Sequence, residues 1–145
     1  MATATSVQAN VAVVRDIYDR FNRRDLDGAL AHLADDFEML DVPMGLTLRG
    51  PEGFRQWLQP FLTAMPDSST EITNVVAAGD WIATEHTGRG THTGPLQTPN
   101  GEVPPTGRPM ELKFAELFRV RDGKVVEFRA YYDSATLLRQ LGLIS

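Results

Sequence analysis

Met110-Glu-Leu-Lys-Phe-Ala-Glu-Leu-Phe-Arg-Val-Arg-Asp-Gly-Lys-Val-Val-Glu-Phe-Arg-Ala-Tyr-Tyr132 is the stretch on which the fold turns. Its even positions to residue 120 are Met110, Leu112, Phe114, Glu116, Phe118 and Val120, an apolar row interrupted by one acid. Side chains alternate across a strand, so this period of two predicts a strand over 110–121 with one buried face. Asp122-Gly123 then supplies the strongest short hairpin signal in the chain, and a second strand is predicted over 124–132. Upstream, Gly79-Asp80 joins two further predicted strands, about 71–78 and 81–92. Between the two pairs, the Pro/Gly-rich segment 93–108 is too long for a mere connection and is a candidate lid over a pocket. A short helix is predicted from Ser134 to Leu141, stopping at Gly142.

The first half has a different period. Val7, Val11, Val14, Tyr18 and Phe21 recur at helical spacing, predicting a helix from about Ser6, a plausible N-cap, to Arg24. Asp25 can cap a short helix striped by Leu26, Ala29, Leu30 and Leu33. Phe37-Glu-Met-Leu-Asp41 alternates, which places Asp41 on one strand face with Phe37 and Met39. Gly50-Pro51 opens a third helix, with Pro at its favoured first position. Pro60 lies inside that helix's apolar stripe, so a break or kink is expected near Gln59. Helices followed by meandering strands define an α+β class with an antiparallel sheet, and 145 residues fit a single domain over 1–145.

Composition narrows the field. The net charge of −5 argues against nucleic acid, and the one tight basic cluster, Arg23-Arg24, reads as a solvated helix end. The absence of cysteine excludes disulfides, thiolate catalysis and Cys-ligated metals. No apolar run approaches the roughly 20 residues of a membrane span. Met1-Ala-Thr-Ala-Thr-Ser-Val-Gln8 lacks a signal-peptide pattern, so the expected compartment is the cytoplasm. His86 and His92 share a strand face about 20 Å apart, too far for one metal ion, and His32, on the short helix, has no acid or His partner at ligand spacing. No metal and no cofactor are expected. Gly88-Arg89-Gly90 follows no strand-to-helix turn and is not a phosphate loop.

Several motifs resemble the SnoaL-like polyketide cyclases of the nuclear-transport-factor-two-like superfamily. They are Gly90-Thr-His-Thr-Gly94, Pro104-Pro-Thr-Gly-Arg108, 118–126, Tyr131-Tyr-Asp133 and Leu137-Leu-Arg-Gln-Leu-Gly142. The pattern from Tyr18 to Gly28 and on through Ala34-Asp-Asp-Phe37 is typical of the wider superfamily. The resemblance implies a cone-shaped fold: a curved antiparallel sheet wrapped around N-terminal helices, with a central pocket for a small hydrophobic ligand. It also implies a homodimer paired through the outer sheet face. Fold alone does not assign a reaction, so the site residues are weighed individually.

Asp133 resembles the cyclases' proposed acid/base, and it also stands where the last helix needs an N-cap. Asp41 points inward by parity, where desolvation favours a general base, and its surroundings resemble those of the proton-abstracting Asp of ketosteroid isomerases. It can equally cap a turn at a strand end. Glu116 falls where those isomerases hold a protonated acid against an enolate oxygen. The alternative is a buried acid paired to Arg89 or Arg129. His86 is a possible pocket acid/base or an ordinary hydrogen-bonded histidine. Tyr18 lies near the isomerases' oxyanion Tyr, one residue out of register, so core packing competes. His92 leads into the long loop, either against the ligand or in a structural role. Trp57, Phe61, Phe114, Phe118, Phe128 and Tyr132 supply core and pocket wall, favouring an apolar, ring-bearing ligand. Ala130 stands where limonene epoxide hydrolases, also of this superfamily, hold an essential Asp, which speaks against their mechanism.

Three functions fit these residues. The first is a cofactor-free acid/base enzyme that enolises a ketone or polyketide-like substrate and closes a ring by intramolecular aldol attack, with an isomerase variant using Asp41 and Glu116. The second is a non-catalytic binding domain for a small hydrophobic ligand. The third, a dimerising partner module, has no charge run or tail to support it.

Overall fold

The computed structural model describes residues 4–145. The first three residues of the stretch read above as free of a signal peptide lie outside the described residues. Helix α1 (Ala4–Asn22) buries Val14 and Tyr18 of the expected stripe, together with Ile17, which the stripe did not include. It begins two residues before Ser6, which therefore sits in its first turn rather than at its cap. Asp25 caps α2 (Leu26–Leu30) as expected, its carboxylate accepting from the Gly28 N–H. His32 follows α2 and meets Asp16 of α1 at 2.7 Å, a partner that sequence spacing did not bring together.

Strand β1 (Leu33–Asp41) starts earlier than its period suggested and forms a hairpin with β2 (Leu46–Arg49), a strand too short and exposed to leave a pattern. Helix α3 (Gly50–Ala64) runs on through Pro60 without the expected break near Gln59. The carbonyl that Pro60 leaves without a donor belongs to Gln56, an exposed residue, so water can serve it. Meanwhile Trp57, Leu58 and Ala64 on either side of Pro60 are buried.

The remaining strands are β3 (Ser69–Ala78), β4 (Trp81–Thr91), β5 (Leu96–Thr98), β6 (Gly101–Val103), β7 (Pro109–Arg121) and β8 (Lys124–Tyr132), followed by α4 (Ser134–Gln140). Asp122 and Gly123 both take positive φ, 52° and 76°, as the predicted tight β7–β8 turn requires. The result is an α+β architecture: a curved six-stranded sheet, ordered β2-β1-β8-β7-β4-β3, with the N-terminal helices against it. One pairing departs from the expected antiparallel sheet, because β1 runs parallel to β8. Those strands lie far apart in sequence, and side-chain alternation is blind to strand direction.

Helices and inner sheet face enclose the main core, where Phe54, Trp57, Phe118 and Phe128 meet largely edge to face. A second cluster, including Met65, Leu96, Met110, Leu112 and Leu141, closes the end of the sheet beside α4. Segment 93–108, read as a possible lid, instead folds its middle into the β5–β6 hairpin and contributes no residue to the cavity wall. Its base is tied down on both sides: Thr93 and Gly94 donate to the Ala64 carbonyl, and Gly107 donates to the His92 carbonyl.

Gly94 passes so close to the end of α3 that a Cβ there would overlap the Thr63 carbonyl oxygen. Gly94→Ala is therefore expected to cost about 1–3 kcal/mol, the range for overpacking a tight contact. A lower urea midpoint checks it; an unchanged midpoint means the loop base is not held this way.

Candidate active site

The single acid on the inner face of β7 occupies the position its alternation predicted. Glu116 is buried, 4% exposed, among apolar neighbours. Across the sheet it pairs with Ala130 on β8 and Thr84 on β4, and Ala130 in turn pairs with Asp41 on β1. Asp41, Ala130, Glu116 and Thr84 thus form one row, with the two carboxyl-bearing residues flanking a small one. At about 4.8 Å per strand, their backbones stand roughly 10 Å apart.

Tyr18 reaches this row from α1. Its hydroxyl donates to Glu116 Oε1 at 2.5 Å and lies 2.7 Å from Thr84 Oγ1. Burial pushes the Glu116 carboxyl up to about 8; the Tyr18 hydrogen bond opposes that rise and the Asp41 charge adds to it. Burial, together with the neighbouring Glu116, holds the Tyr18 hydroxyl well above the usual phenol range. Near neutral pH the pair is therefore a protonated acid beside a neutral phenol. Neither Arg89 nor Arg129 compensates Glu116: Arg89 pairs with Glu71 and Glu111, and Arg129 pairs with Glu127. These partners are exposed or half-buried, on the opposite parity from Glu116.

His86 lies two residues beyond Thr84, on the same face of β4, and stacks on Phe114 at 4.6 Å. Burial lowers its pKa to about 4, so the ring is neutral at pH 7. Nδ1 approaches Glu116 Oε1 to 3.4 Å but forms no hydrogen bond there or with any other described residue. With both groups neutral this contact is not an ion pair at pH 7.

Glu116, Tyr18 and His86 all line one cavity, whose wall includes Trp57, Phe61, Phe114, Phe118 and Phe128, as anticipated for the aromatic residues. Four other candidates lie elsewhere. Asp41 is buried behind that wall and engaged by three donors: Trp57 Nε1 and Tyr132 Oη on Oδ2, each at 2.8 Å, and Met44 N on Oδ1 at 3.2 Å. Its inward parity and its turn-capping role both hold, but it does not border the cavity. Tyr132 holds Asp41 instead of lining the cavity. His92 is fully buried, with Nδ1 bound to Thr106 at the base of the long loop, and is also absent from the cavity wall. Asp133 is exposed and caps α4, accepting from Thr136 N and Oγ1, which pulls its pKa down. A group so engaged is unsuited to taking a proton inside the cavity.

Sequence reasoning missed Thr84, although it shares the parity of His86, and Ser68, which no periodicity marks. It also missed the indole N–H of Trp57 as a hydrogen-bond donor. Among the described residues no three His, Asp or Glu side chains cluster as a metal site needs, and no helix is long and apolar enough to cross a membrane.

Residues 12–141 match the family model of the SnoaL-like polyketide cyclases, and the chain belongs to that family. Among solved structures it is similar to IdmH of Streptomyces antibioticus, a proposed polyketide cyclase, with 32% identity over 92% of this chain and 98% of that one and a TM-score of 0.78. It also resembles AclR of Streptomyces galilaeus, a proposed hydroxylase, with 27% identity over 96% and 84% of the two chains and a TM-score of 0.82. A proposed SnoaL-like polyketide cyclase from Jannaschia sp. CCS1 superposes with a TM-score of 0.86 over 100% and 99% of the chains. At 19% identity, that likeness speaks for the fold alone. No curated protein matches the chain.

Glu116 and His86 have opposite consequences for stability. Glu116, raised from 4.5 to about 8 on folding, stabilises fully below pH 4.5 and loses that contribution as pH rises to about 8. His86, lowered from 6.5 to about 4, adds stability as pH rises from 4 to 6.5 and nothing further above it. Between pH 6.5 and 8 only Glu116 of this pair titrates, so wild-type stability is expected to fall there while Glu116→Gln removes the slope. Urea unfolding at several pH values checks this; equal slopes in both proteins contradict it.

Proposed function

We propose that the protein is a cofactor-free acid/base enzyme that enolises a ketone within its apolar cavity and closes a ring by intramolecular aldol attack. The observation that carries the reading is the placement of Glu116 and His86 on one cavity wall with Oε1 and Nδ1 3.4 Å apart, where burial keeps the carboxyl protonated up to about pH 8 and the imidazole uncharged down to about pH 4. One can give a proton where the other can take one. Membership of a cyclase family supports the same chemistry.

In the proposed sequence the substrate ketone oxygen faces the Glu116 carboxyl, whose Oε1 is fixed by Tyr18. His86 takes the α proton on its unprotonated ring nitrogen while Glu116 gives its proton to the carbonyl oxygen, producing an enol. The 3.4 Å approach between the two residues then becomes an imidazolium–carboxylate pair, so it gains attraction only as the reaction proceeds. The enol carbon attacks a second carbonyl of the same molecule and forms the C–C bond. The enol O–H proton returns to Glu116, and His86 passes its proton to the new alkoxide. Both residues end neutral, and no proton is gained or lost overall. Alignment of the two carbonyls in a shaped cavity supplies much of the rate. In this reading Asp41 positions Trp57 and Tyr132 and takes no proton.

Glu116→Gln and His86→Gln are each expected to slow exchange of the α protons of 2-tetralone into D₂O by about 10²-fold or more, the usual weight of one acid/base group. Proton NMR follows the exchange without needing the natural substrate. Wild-type exchange no faster than buffer, with the ketone bound, contradicts the enzyme reading and leaves a domain that binds hydrophobic ligands.

A further inference from the structure

The row that carries Glu116 also holds a hydroxyl that the proposed reaction does not use. Thr84 pairs with Glu116 across β4 and β7, so their side chains stand next to each other on the inner face. Tyr18 spans the two from α1, its hydroxyl 2.5 Å from Glu116 Oε1 and 2.7 Å from Thr84 Oγ1. The rings of His86 and Phe118 flank the phenol at 5.0 and 5.9 Å. A phenol has one proton to give. Tyr18 gives it to Glu116, so the contact with Thr84 is made by the Thr84 proton. The opposite order, Glu116 to Tyr18 to Thr84, would strand the Thr84 proton. Tyr18 is the only hydrogen-bonding neighbour of Thr84 Oγ1 among the described residues, and Thr84 is 2% exposed. The chain therefore runs one way, from Thr84 through Tyr18 to Oε1. Glu116 is left to carry its own proton on Oε2, which makes no hydrogen bond among the described residues and is not fully enclosed.

We propose that Thr84 is a positioning residue for proton transfer: by donating to Tyr18 it keeps the phenol proton on Oε1, so that Glu116 offers its own proton from Oε2. The inference rests on Glu116 being the proton donor of the proposed reaction. Thr84 does not border the cavity and acts only through Tyr18. When the Oε2 proton leaves, the new carboxylate charge is met at Oε1 by a phenol whose oxygen is already accepting. A hydroxyl that accepts one hydrogen bond is a stronger donor in the next, so Thr84 strengthens the support of that charge. No donor in the chain has to turn as the charge develops, because each already points the right way.

The test follows the Glu116 carboxyl by ¹³C NMR across pH in wild type, Thr84→Val, Thr84→Ala and Thr84→Ser. Thr84→Val keeps the branched shape that suits a strand, and both it and Thr84→Ala remove the donor. Each is expected to raise the pH at which Glu116 titrates by about 0.2–0.6, the part of a charge-assisted hydrogen bond that cooperativity adds. Thr84→Ser, which keeps a hydroxyl, titrates with wild type. The alkaline limb of the pH profile for 2-tetralone α-proton exchange moves up in the same two variants. A merely structural role would instead lower the rate at every pH and leave the limb in place. An unchanged or lower midpoint in both variants, a limb that stays while the midpoint rises, or Thr84→Ser behaving as they do overturns the proposal. A wild type that exchanges no α protons fails as an enolising enzyme, and the carboxyl titration then decides the Thr84–Tyr18–Glu116 chain by itself.

Discussion

The buried hydrogen bond between Tyr18 and Glu116 is the interaction on which the rest of the site depends. A carboxyl group enclosed by apolar side chains has two ways to avoid an isolated charge: it finds a cation or it keeps its proton. Here the nearby arginines are on the outside, engaged with other acids, and the inward partner is a phenol. The phenol joins α1 to β7, so this contact fixes how the first helix lies across the sheet, while burial keeps the acid protonated against the opposing pull of the same hydrogen bond. Thr84 extends the contact to β4, and His86 borders it from the same strand. Helix, two strands and an apolar cavity are thus referred to one carboxyl group.

Much of this was legible in the chain. The alternation that isolated Glu116 among apolar residues held in the fold, as did the hairpin turn at Asp122-Gly123 and the parity that turned Asp41 inward. Six of the eight residues anticipated at the ligand lie on the cavity wall. Periodicity reports which face a side chain takes, and it reports this well for long strands. It carries no information about which strands become neighbours. The parallel β1–β8 contact, and with it the row of Asp41, Ala130 and Glu116, could not be read from it.

The candidates that fell away did so for a common reason: local chemistry claimed them first. Asp133 is a helix cap because α4 begins one residue later and its first turn needs an acceptor. His92 is consumed by the base of the long loop, and Tyr132 by Asp41. Family likeness points to a position, but the free hydrogen-bonding capacity at that position decides what the residue can do. By the same measure His86 rises in importance, because its Nδ1 is buried without a hydrogen-bond partner among the described residues.

The central claim is that Glu116 is a neutral carboxylic acid at neutral pH. Carboxyl ¹³C NMR of glutamate-labelled protein, with Glu116→Gln to assign the signal, tests it directly. A signal at the protonated position at pH 7 that moves to the carboxylate position near pH 8 is the predicted result. A signal already at the carboxylate position at pH 7, titrating in the ordinary range near 4.5, would contradict the account, because Glu116 would then have no proton to give.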